Sequence, residues 1–382
     1  DRVSCLVGSE MCIRDRAWML MCSVIYGLSA VTLYLYAAGK LDLTPAFRRA
    51  YPVLVLFLIW MAWIVLQMIP LPIGLLENIA PLSAEVYRLV NPEVAFASIS
   101  INLPATLEQL IKSMAYALLF ALVLLIINDT RRLRQLTSWL VVIGVVQALF
   151  ACLMLFAGDY LFYHGYGSAT GTFANRNQLA GFLVLNLSIG IGLLLAGMRQ
   201  EGSSTWRERI RNLSSTLLSQ KVRLRIYLVV MVITLVLTRS RMGNIAFFVS
   251  MTMTGFLAVW LMRQSSRPVI ILLTSLIIID IFIISRWFGL EELQYRFKEM
   301  TTQTVSLDVT KTHNLDRIQT SLYAMDLHAD ARLTGTGAGT FYTIFPRYQG
   351  GNQPLYFQHA HHDVMEFLTD TGWIGLLLLG SI

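Results

Sequence analysis

The stretch His359-Ala360-His361-His362-Asp363 carries the densest set of reactive side chains in the chain. Imidazole gives and takes protons near neutral pH, so a histidine held in place can act as a general base. The stretch ends the longest polar interval of the sequence and precedes an apolar run that starts near residue 372. It indicates either a proton-transfer site at a membrane surface or a polar loop end that only starts a helix.

A metal site is a second hypothesis for these side chains. Imidazole and carboxylate groups are zinc ligands, and the spacing fits zinc loosely. Nothing in the sequence fixes the remaining ligands, so this hypothesis stays secondary. The residues concerned are His359, His361, His362 and Asp363, with His313 or His328 to complete the shell.

Arginines next to apolar runs form the second candidate set. Arg239 and Arg241 lie in Thr238-Arg239-Ser240-Arg241-Met242-Gly243, between two apolar runs. Arginine at the edge of a bilayer is costly unless it is paired, which makes it a functional candidate by default. The alternative is that both arginines snorkel, so that their charged groups lie at the membrane–water interface.

Arg176 lies between Asn175 and Asn177 where another apolar run begins. A guanidinium group at a helix N-terminus can bind an anion, because the free backbone N–H groups add to the attraction. The alternative is an asparagine N-cap beside an interfacial arginine.

The composition is that of a membrane protein. Of 382 residues, 55% are hydrophobic and 14% are charged, against roughly 25% charged residues in soluble domains. The net charge of +7 comes from short Lys and Arg clusters between apolar runs. That distribution indicates membrane topology rather than a nucleic-acid surface. The four cysteines are too scattered for a disulfide framework.

We expect an all-α polytopic fold with about nine visible transmembrane helices. Roughly 20 apolar residues span a bilayer. Residues 288–371 are too rich in apolar side chains for a disordered loop, and helical periodicity covers 314–330. The glycine-rich segment 335–340 then forms a turn, and the proline-rich interval 71–109 forms short amphipathic pieces. The apolar runs are 17–38, 51–70, 110–127, 136–157, 178–197, 225–238, 243–262, 268–287 and the one that starts near 372.

Basic residues predict the orientation of these helices. They concentrate in alternate loops, near 40–49, 131–134, 198–224 and 263–267. The positive-inside rule assigns those loops to the cytoplasm and 288–371 to the opposite side. The predicted organisation is therefore a membrane domain at 17–287, a large periplasmic loop at 288–371 and a truncated helix from 372. Residues 1–16 resemble translated sequencing-adapter read-through, and both ends look cut.

Four strings of this sequence together resemble the O-antigen ligase and polymerase superfamily. His361 is followed by polar His362, nine further residues and then by Gly372 and Gly375, which is similar to the family signature. The position after the histidine is more often Asn, Ser or Gln in the family, so His362 is a departure. The other strings, in family order, are Gly171-Thr172-Phe173-Ala174-Asn175-Arg176-Asn177, Ser240-Arg241-Met242-Gly243 and Gly335-Thr336-Gly337-Ala338-Gly339-Thr340-Phe341.

The resemblance implies a metal-independent, inverting glycosyltransferase of the bacterial inner membrane that needs no cofactor. Its donor would be a glycan on undecaprenyl diphosphate, and its acceptor lipid A–core, another glycan or a protein hydroxyl. His361 would be the general base on the periplasmic side. The diphosphate would be bound by Arg241, Arg317 and Arg176, with Arg332 and Arg347 as rivals of Arg317. Asn175, Asn177, His362 and Asp363 would support the site, Asp363 as a helix N-cap.

Two functions of other classes remain open from the sequence. An anionic-solute transporter or flippase would use Arg176, Arg239 and Arg241 along its path. That hypothesis predicts an internal repeat, which the sequence does not show, and it gives the histidine-bearing loop no task. A purely structural membrane scaffold would leave the arginines of the outer side unexplained.

Overall fold

The structure, a computed structural model, describes residues 2–157, 168–173, 175–198, 220–261, 309–349, 357, 359–360 and 362–382. This part of the chain is mostly helical, as the sequence predicts. In chain order its α-helices are α1 (Arg2–Ala37), α2 (Pro45–Arg49), α3 (Tyr51–Met68), α4 (Ile73–Ile79), α5 (Pro81–Val90), α6 (Leu103–Ile126), α7 (Thr130–Ala157), α8 (Arg176–Met198), α9 (Gln220–Leu237), α10 (Arg241–Leu261), α11 (Val309–Asp330), α12 (Phe341–Ile344) and α13 (Asp363–Ser381).

Membrane-spanning helices account for much of the described chain. Five of its helices are long and apolar enough to cross a bilayer, within α1, α3, α6, α7 and α8. The apolar runs at 225–238 and 243–262 also form helices, α9 and α10, which are not among these five. The run at 268–287 lies outside the described residues. The chain is therefore a multi-pass membrane protein, and the number nine stays a prediction.

The chain divides into two compact units. The first contains Asp1–Asn128 and Val305–Ile382, and the second contains Asp129–Thr304. In the first unit, α6 packs against both α1 and α3, and α13 packs against α3 and α11. The predicted short pieces at 71–109 are α4, α5 and one antiparallel strand pair, β1 (Leu71–Pro72) with β2 (Phe96–Ala97).

In the second unit, α7, α8 and α9 pack against one another, and α10 packs against α8. Glycines allow this close approach, as is usual for membrane helices. A Cβ atom on Gly190 would lie 2.6 Å from Leu228 Cδ2, and one on Gly144 would lie 2.9 Å from Asn186 Cβ. The buried core of the unit is aliphatic and includes Leu179, Leu183, Leu187, Met231 and Leu235.

Two helix boundaries differ from the predicted ones. The short apolar run at 225–238 extends backward, so that α9 begins at Gln220. The helix predicted over 314–330 begins earlier, at Val309, which places Arg317 inside α11 rather than near its start. In both helices the added residues are mostly polar, and apolar periodicity does not detect polar turns.

Candidate active site

In the second unit, the segment before α8 is fixed by the residues of its motif. Gly171 has φ 61°, and a Cβ atom there would lie 2.7 Å from Gln147 Nε2 of α7. Gln147 Nε2 donates to Thr172 Oγ1 at 2.7 Å, and Phe173 packs against Phe182 with ring centroids 5.4 Å apart. The glycine, the threonine and the phenylalanine of the string thus anchor the start of α8.

Asn175 caps α8. Its Oδ1 accepts from Asn177 N at 2.8 Å, and its carbonyl oxygen accepts from Gln178 N at 3.0 Å. Arg176 is the first helical residue, and its side chain is exposed, as are those of both asparagines. The N-cap interpretation is correct for Asn175, and it leaves Arg176 available at the N-terminus.

The turn before α10 explains the Ser-Arg-x-Gly string in the same way. Ser240 Oγ accepts from Gly243 N at 3.1 Å, so Ser240 is the N-cap and Arg241 is the first helical residue. Arg239 adopts φ 54°, the left-handed conformation that turns the chain between α9 and α10. Gly243 lies against α8, because a Cβ atom on it would lie 2.5 Å from Ala180 Cβ.

The two helix N-termini are therefore neighbours, and each begins with an arginine. Ala180 is in the first turns of α8 and Gly243 in the first turn of α10, and Ala169 N also donates to Leu237 O at 3.0 Å. Within the described residues, neither Arg176 nor Arg241 makes an ion pair with a carboxylate. Helix N-termini carry partial positive charge. Together with two guanidinium groups, this surface suits an anion such as a diphosphate.

In the first unit, the glycine turn at 335–340 lies on α13. Thr336 N donates to Thr369 O at 3.0 Å, and Gly337 N donates to Asp370 O at 2.9 Å. A side chain at Gly335 or Gly337 would overlap the neighbouring backbone. A Cβ atom on Gly335 would meet the backbone of Asp370, and one on Gly337 would lie 2.7 Å from Ser100 Cα. The turn is structural, as predicted, and its glycines allow backbone to meet backbone.

Gly372 kinks α13 at this contact. Its φ of 64° and ψ of −172° are non-helical, and a Cβ atom on it would overlap the Leu333 carbonyl group. After the kink, Trp373 N donates to Arg332 O at 2.9 Å. The first glycine of the predicted signature is thus the position where α13 changes direction against the glycine turn.

Gln67 and Asp370 complete this contact, and sequence reasoning missed both. Gln67 is fully buried in α3, donates to Thr334 O at 2.8 Å and accepts from Ala338 N at 3.1 Å. Asp370 Oδ2 accepts from Gly339 N at 2.8 Å. Burial raises the pKa of the Asp370 carboxyl well above its usual range, and the charge of Glu366 adds to the shift. A lone glutamine in an apolar run was the available signal for Gln67.

The histidine stretch is held by Glu366. Its Oε1 lies 2.8 Å from His359 Nδ1, and its Oε2 accepts from Ala360 N at 3.0 Å. Ala360 is fully buried, in a cluster that includes Leu82, Phe341 and Phe357. Sequence reasoning gave Glu366 no role. His361, the predicted general base, lies outside the described residues.

His362, not Asp363, is the N-cap of α13. His362 Nδ1 accepts from Met365 N at 3.3 Å, and Asp363 is the first residue of the helix, with an exposed side chain. The prediction for Asp363 was wrong because the preceding histidine can also accept the hydrogen bond. Asp363 still contributes negative charge in the first turn, where the helix dipole favours it.

The remaining predicted residues have separate environments. Arg347 is paired with Glu85 at 2.6 Å, which counts against it as a phosphate ligand. Arg332 is exposed and lines a cleft of 280 Å³ between 78–83 and 329–335. His328 packs edge-on against Trp373, with ring centroids 5.8 Å apart, and burial lowers its pKa. Arg317 belongs to α11, and the structure describes its backbone only.

The described residues contain no group of three or more His, Cys, Asp or Glu side chains that could hold a metal ion. His361 lies outside the part of the chain to which this applies. The metal hypothesis therefore requires at least one ligand outside the described residues, such as His361.

Comparison with known protein families gives a match over part of the chain. Residues 226–380 match the family model described as O-Antigen ligase. The match includes α10 and its arginine turn, the glycine turn and the signature from His361 to Gly375, while residues 171–178 precede it. Comparison with curated proteins and with solved structures gives no match.

Proposed function

Because residues 226–380 match the O-antigen ligase family model, we propose that the chain is a glycosyltransferase of that family that moves a glycan from undecaprenyl diphosphate to an acceptor hydroxyl. Ligation of O-antigen to lipid A–core on the periplasmic side of the inner membrane is the favoured reaction. Polymerisation of glycan repeats or transfer to a protein hydroxyl are alternatives within the family, since the residues described do not distinguish acceptors.

The observation that carries the proposal is the pair of neighbouring helix N-termini that begin with Arg176 and Arg241. A diphosphate leaving group gains negative charge as the glycosidic bond breaks. Guanidinium groups and free backbone N–H groups stabilise such charge in the transition state. Arg241 is the principal ligand in this proposal, with Arg176 and Arg317 as further ligands.

His361 is the proposed general base. It would accept the proton of the acceptor hydroxyl, whose oxygen attacks the anomeric carbon as the bond to the diphosphate breaks. Attack from the face opposite the leaving group inverts the anomeric centre. Undecaprenyl diphosphate is already an activated leaving group, so the proposed reaction uses neither a metal ion nor a cofactor. Asn175 and Asn177 lie at the N-terminus of α8, and His362 and Asp363 lie at that of α13. These four residues support the site in this proposal.

The test is glycan transfer in a host that lacks its own ligase. We expect His361→Ala to abolish transfer, while His362→Asn, which keeps an N-cap, retains most of it. Arg241→Lys keeps the charge but loses the two parallel hydrogen bonds of arginine, so transfer should fall by at least about tenfold. All variants are compared at equal levels of membrane-inserted protein.

Each outcome of this test has a separate meaning. Full activity of His361→Ala would overturn the catalytic assignment. Equal loss in His359→Ala, His361→Ala and His362→Asn, restored by added zinc, would favour the metal hypothesis. Unchanged transfer by Arg241→Lys and Arg241→Ala would remove the diphosphate role of Arg241, whereas absence of transfer by the wild-type protein would revive the transporter hypothesis.

A further inference from the structure

Glu366 joins two groups that lie just before His361 in the chain. One carboxylate oxygen contacts the His359 ring nitrogen at 2.8 Å, and the other accepts from the Ala360 backbone N–H at 3.0 Å. The carboxylate is only 26% exposed, so both contacts are partly shielded from water. A bidentate contact of this kind fixes a backbone segment in position as well as in orientation.

The other neighbour of His361 is also fixed. His362 is the N-cap of α13, the helix that carries Glu366, and its ring accepts from Met365 N. Ala360 is fully buried, in the cluster that contains Phe341, Phe345 and Phe357. The first turn of α13 therefore holds the chain on both sides of the proposed general base.

Resting on the proposed function, we infer that Glu366 is a positioning residue for the transfer reaction. It acts by holding the backbone of 359–360, and through it the residue that follows. Asp370, one turn further along α13, binds Gly339 N and is buried. Burial raises the pKa of the Asp370 carboxyl, and the charge of Glu366 adds to the shift.

A carboxylate beside a histidine can form a catalytic pair with the ring, or it can position the backbone. If His359 and Glu366 formed the catalytic pair, the ring of His359 would be essential. If Glu366 positions the backbone, the contact with Ala360 N–H is the important one, and His359 is dispensable. Glutamine at 366 can still accept from Ala360 N–H with its oxygen and donate to His359 Nδ1 with its nitrogen.

The experiment compares Glu366→Ala, Glu366→Gln and His359→Ala in the full chain. We expect Glu366→Ala to lower kcat by roughly tenfold to a hundredfold with KM changed less than about threefold, because a misplaced base slows the chemical step. Glu366→Gln and His359→Ala should stay within about fivefold of wild type. Glu77→Ala, which removes a carboxylate of the same unit that is paired with Arg88, is the control with unchanged activity.

Hydrogen–deuterium exchange of a peptide covering 357–362 supplies a readout that does not depend on activity. We expect Ala360 N–H to be protected in wild type and Glu366→Gln and to exchange faster in Glu366→Ala. Faster exchange with full activity, or unchanged exchange in Glu366→Ala, would overturn the inference. A loss in His359→Ala equal to that in Glu366→Ala would replace it with the catalytic pair. Inactive wild-type protein would instead refute the proposed function, and the positioning role with it.

Discussion

Asp370 shows how one buried carboxyl couples the fold to pH. Its pKa is raised by burial and by Glu366, above an unfolded value of roughly 3.9. A raised folded-state pKa means that the protonated form is favoured on folding. The stabilisation is complete below about pH 4 and is lost as the pH rises through the folded pKa.

We therefore predict that Asp370→Asn stabilises the protein at high pH. Asparagine has nearly the shape of the protonated carboxyl and can still accept from Gly339 N. The Tm of the Asp370→Asn variant in detergent should match that of wild type at about pH 4 and exceed it at about pH 8. Asp370→Ala is the contrast, because it leaves Gly339 N–H without its acceptor and should cost about 1–3 kcal/mol at about pH 4, where the wild-type carboxyl is protonated. Parallel Tm profiles for wild type and Asp370→Asn would contradict the ionisation argument.

His362 gives a second prediction, about the start of α13. Asn and Ser are common N-cap residues, and here the histidine ring accepts the capping hydrogen bond instead. We predict that His362→Asn keeps the Tm of wild type, whereas His362→Ala costs about 1 kcal/mol. Thermal unfolding monitored by intrinsic fluorescence measures both. Equal stability of the two variants would show that the cap adds nothing to α13.

At the residue scale, sequence patterns were informative where a residue type has one local task. The asparagine at 175 was a predicted N-cap and caps α8. The serine at 240, a residue type common at N-caps, caps α10. No comparable pattern indicated which groups Gln67 and Glu366 bind. The partners of Gln67 lie in distant segments and that of Glu366 in the preceding loop, so both roles depend on how the chain packs.

At the scale of elements, the kink in α13 is the feature most sensitive to substitution. Gly372 combines φ 64° with a backbone contact that leaves no room for a Cβ atom. We predict that Gly372→Ala destabilises the protein by about 2 kcal/mol or more, since it adds both backbone strain and overlap with Leu333. The readout is Tm in detergent together with the yield of folded protein.

Gly380 is the matched control for this prediction, because it lies in the same helix and a Cβ atom on it would meet nothing within 4 Å. Gly380→Ala should leave the Tm unchanged or raise it slightly, since alanine favours a helix over glycine. Similar losses in both variants would mean that the cost does not arise from the kink. The periodicity of the sequence predicted the helix but not the kink, because glycine in an apolar helix is common.

At the scale of the whole molecule, hydropathy predicted most of the helices but not their number across the membrane. Five apolar runs became helices long enough to span, and the runs at 225–238 and 243–262 became α9 and α10. Packing partners did not follow from hydropathy. The contact of α13 with α3 joins Gln67 to Asp370, 303 positions further along the chain, and the hydropathy of single runs cannot show such pairs.

The orientation of the helices is the prediction that bears on every proposed role. The positive-inside rule assigns the loop at 131–134 to the cytoplasm and 288–371 to the periplasm. Single cysteines at exposed positions test this in a background without the four native cysteines. We predict that Asp326→Cys, on α11, reacts with a membrane-impermeant maleimide in intact cells with a permeable outer membrane. Arg131→Cys, at the start of α7, should react only after the inner membrane is opened.

The reverse labelling pattern would place the histidine stretch on the cytoplasmic side. Transfer to lipid A–core on the periplasmic side would then be excluded, whatever the activity of the variants at 241 and 361. The predicted pattern would instead place α11 and the stretch that follows it where a periplasmic acceptor can reach them. Labelling therefore tests the location of the proposed reaction independently of its chemistry, because neither Asp326 nor Arg131 has a role in the proposed site.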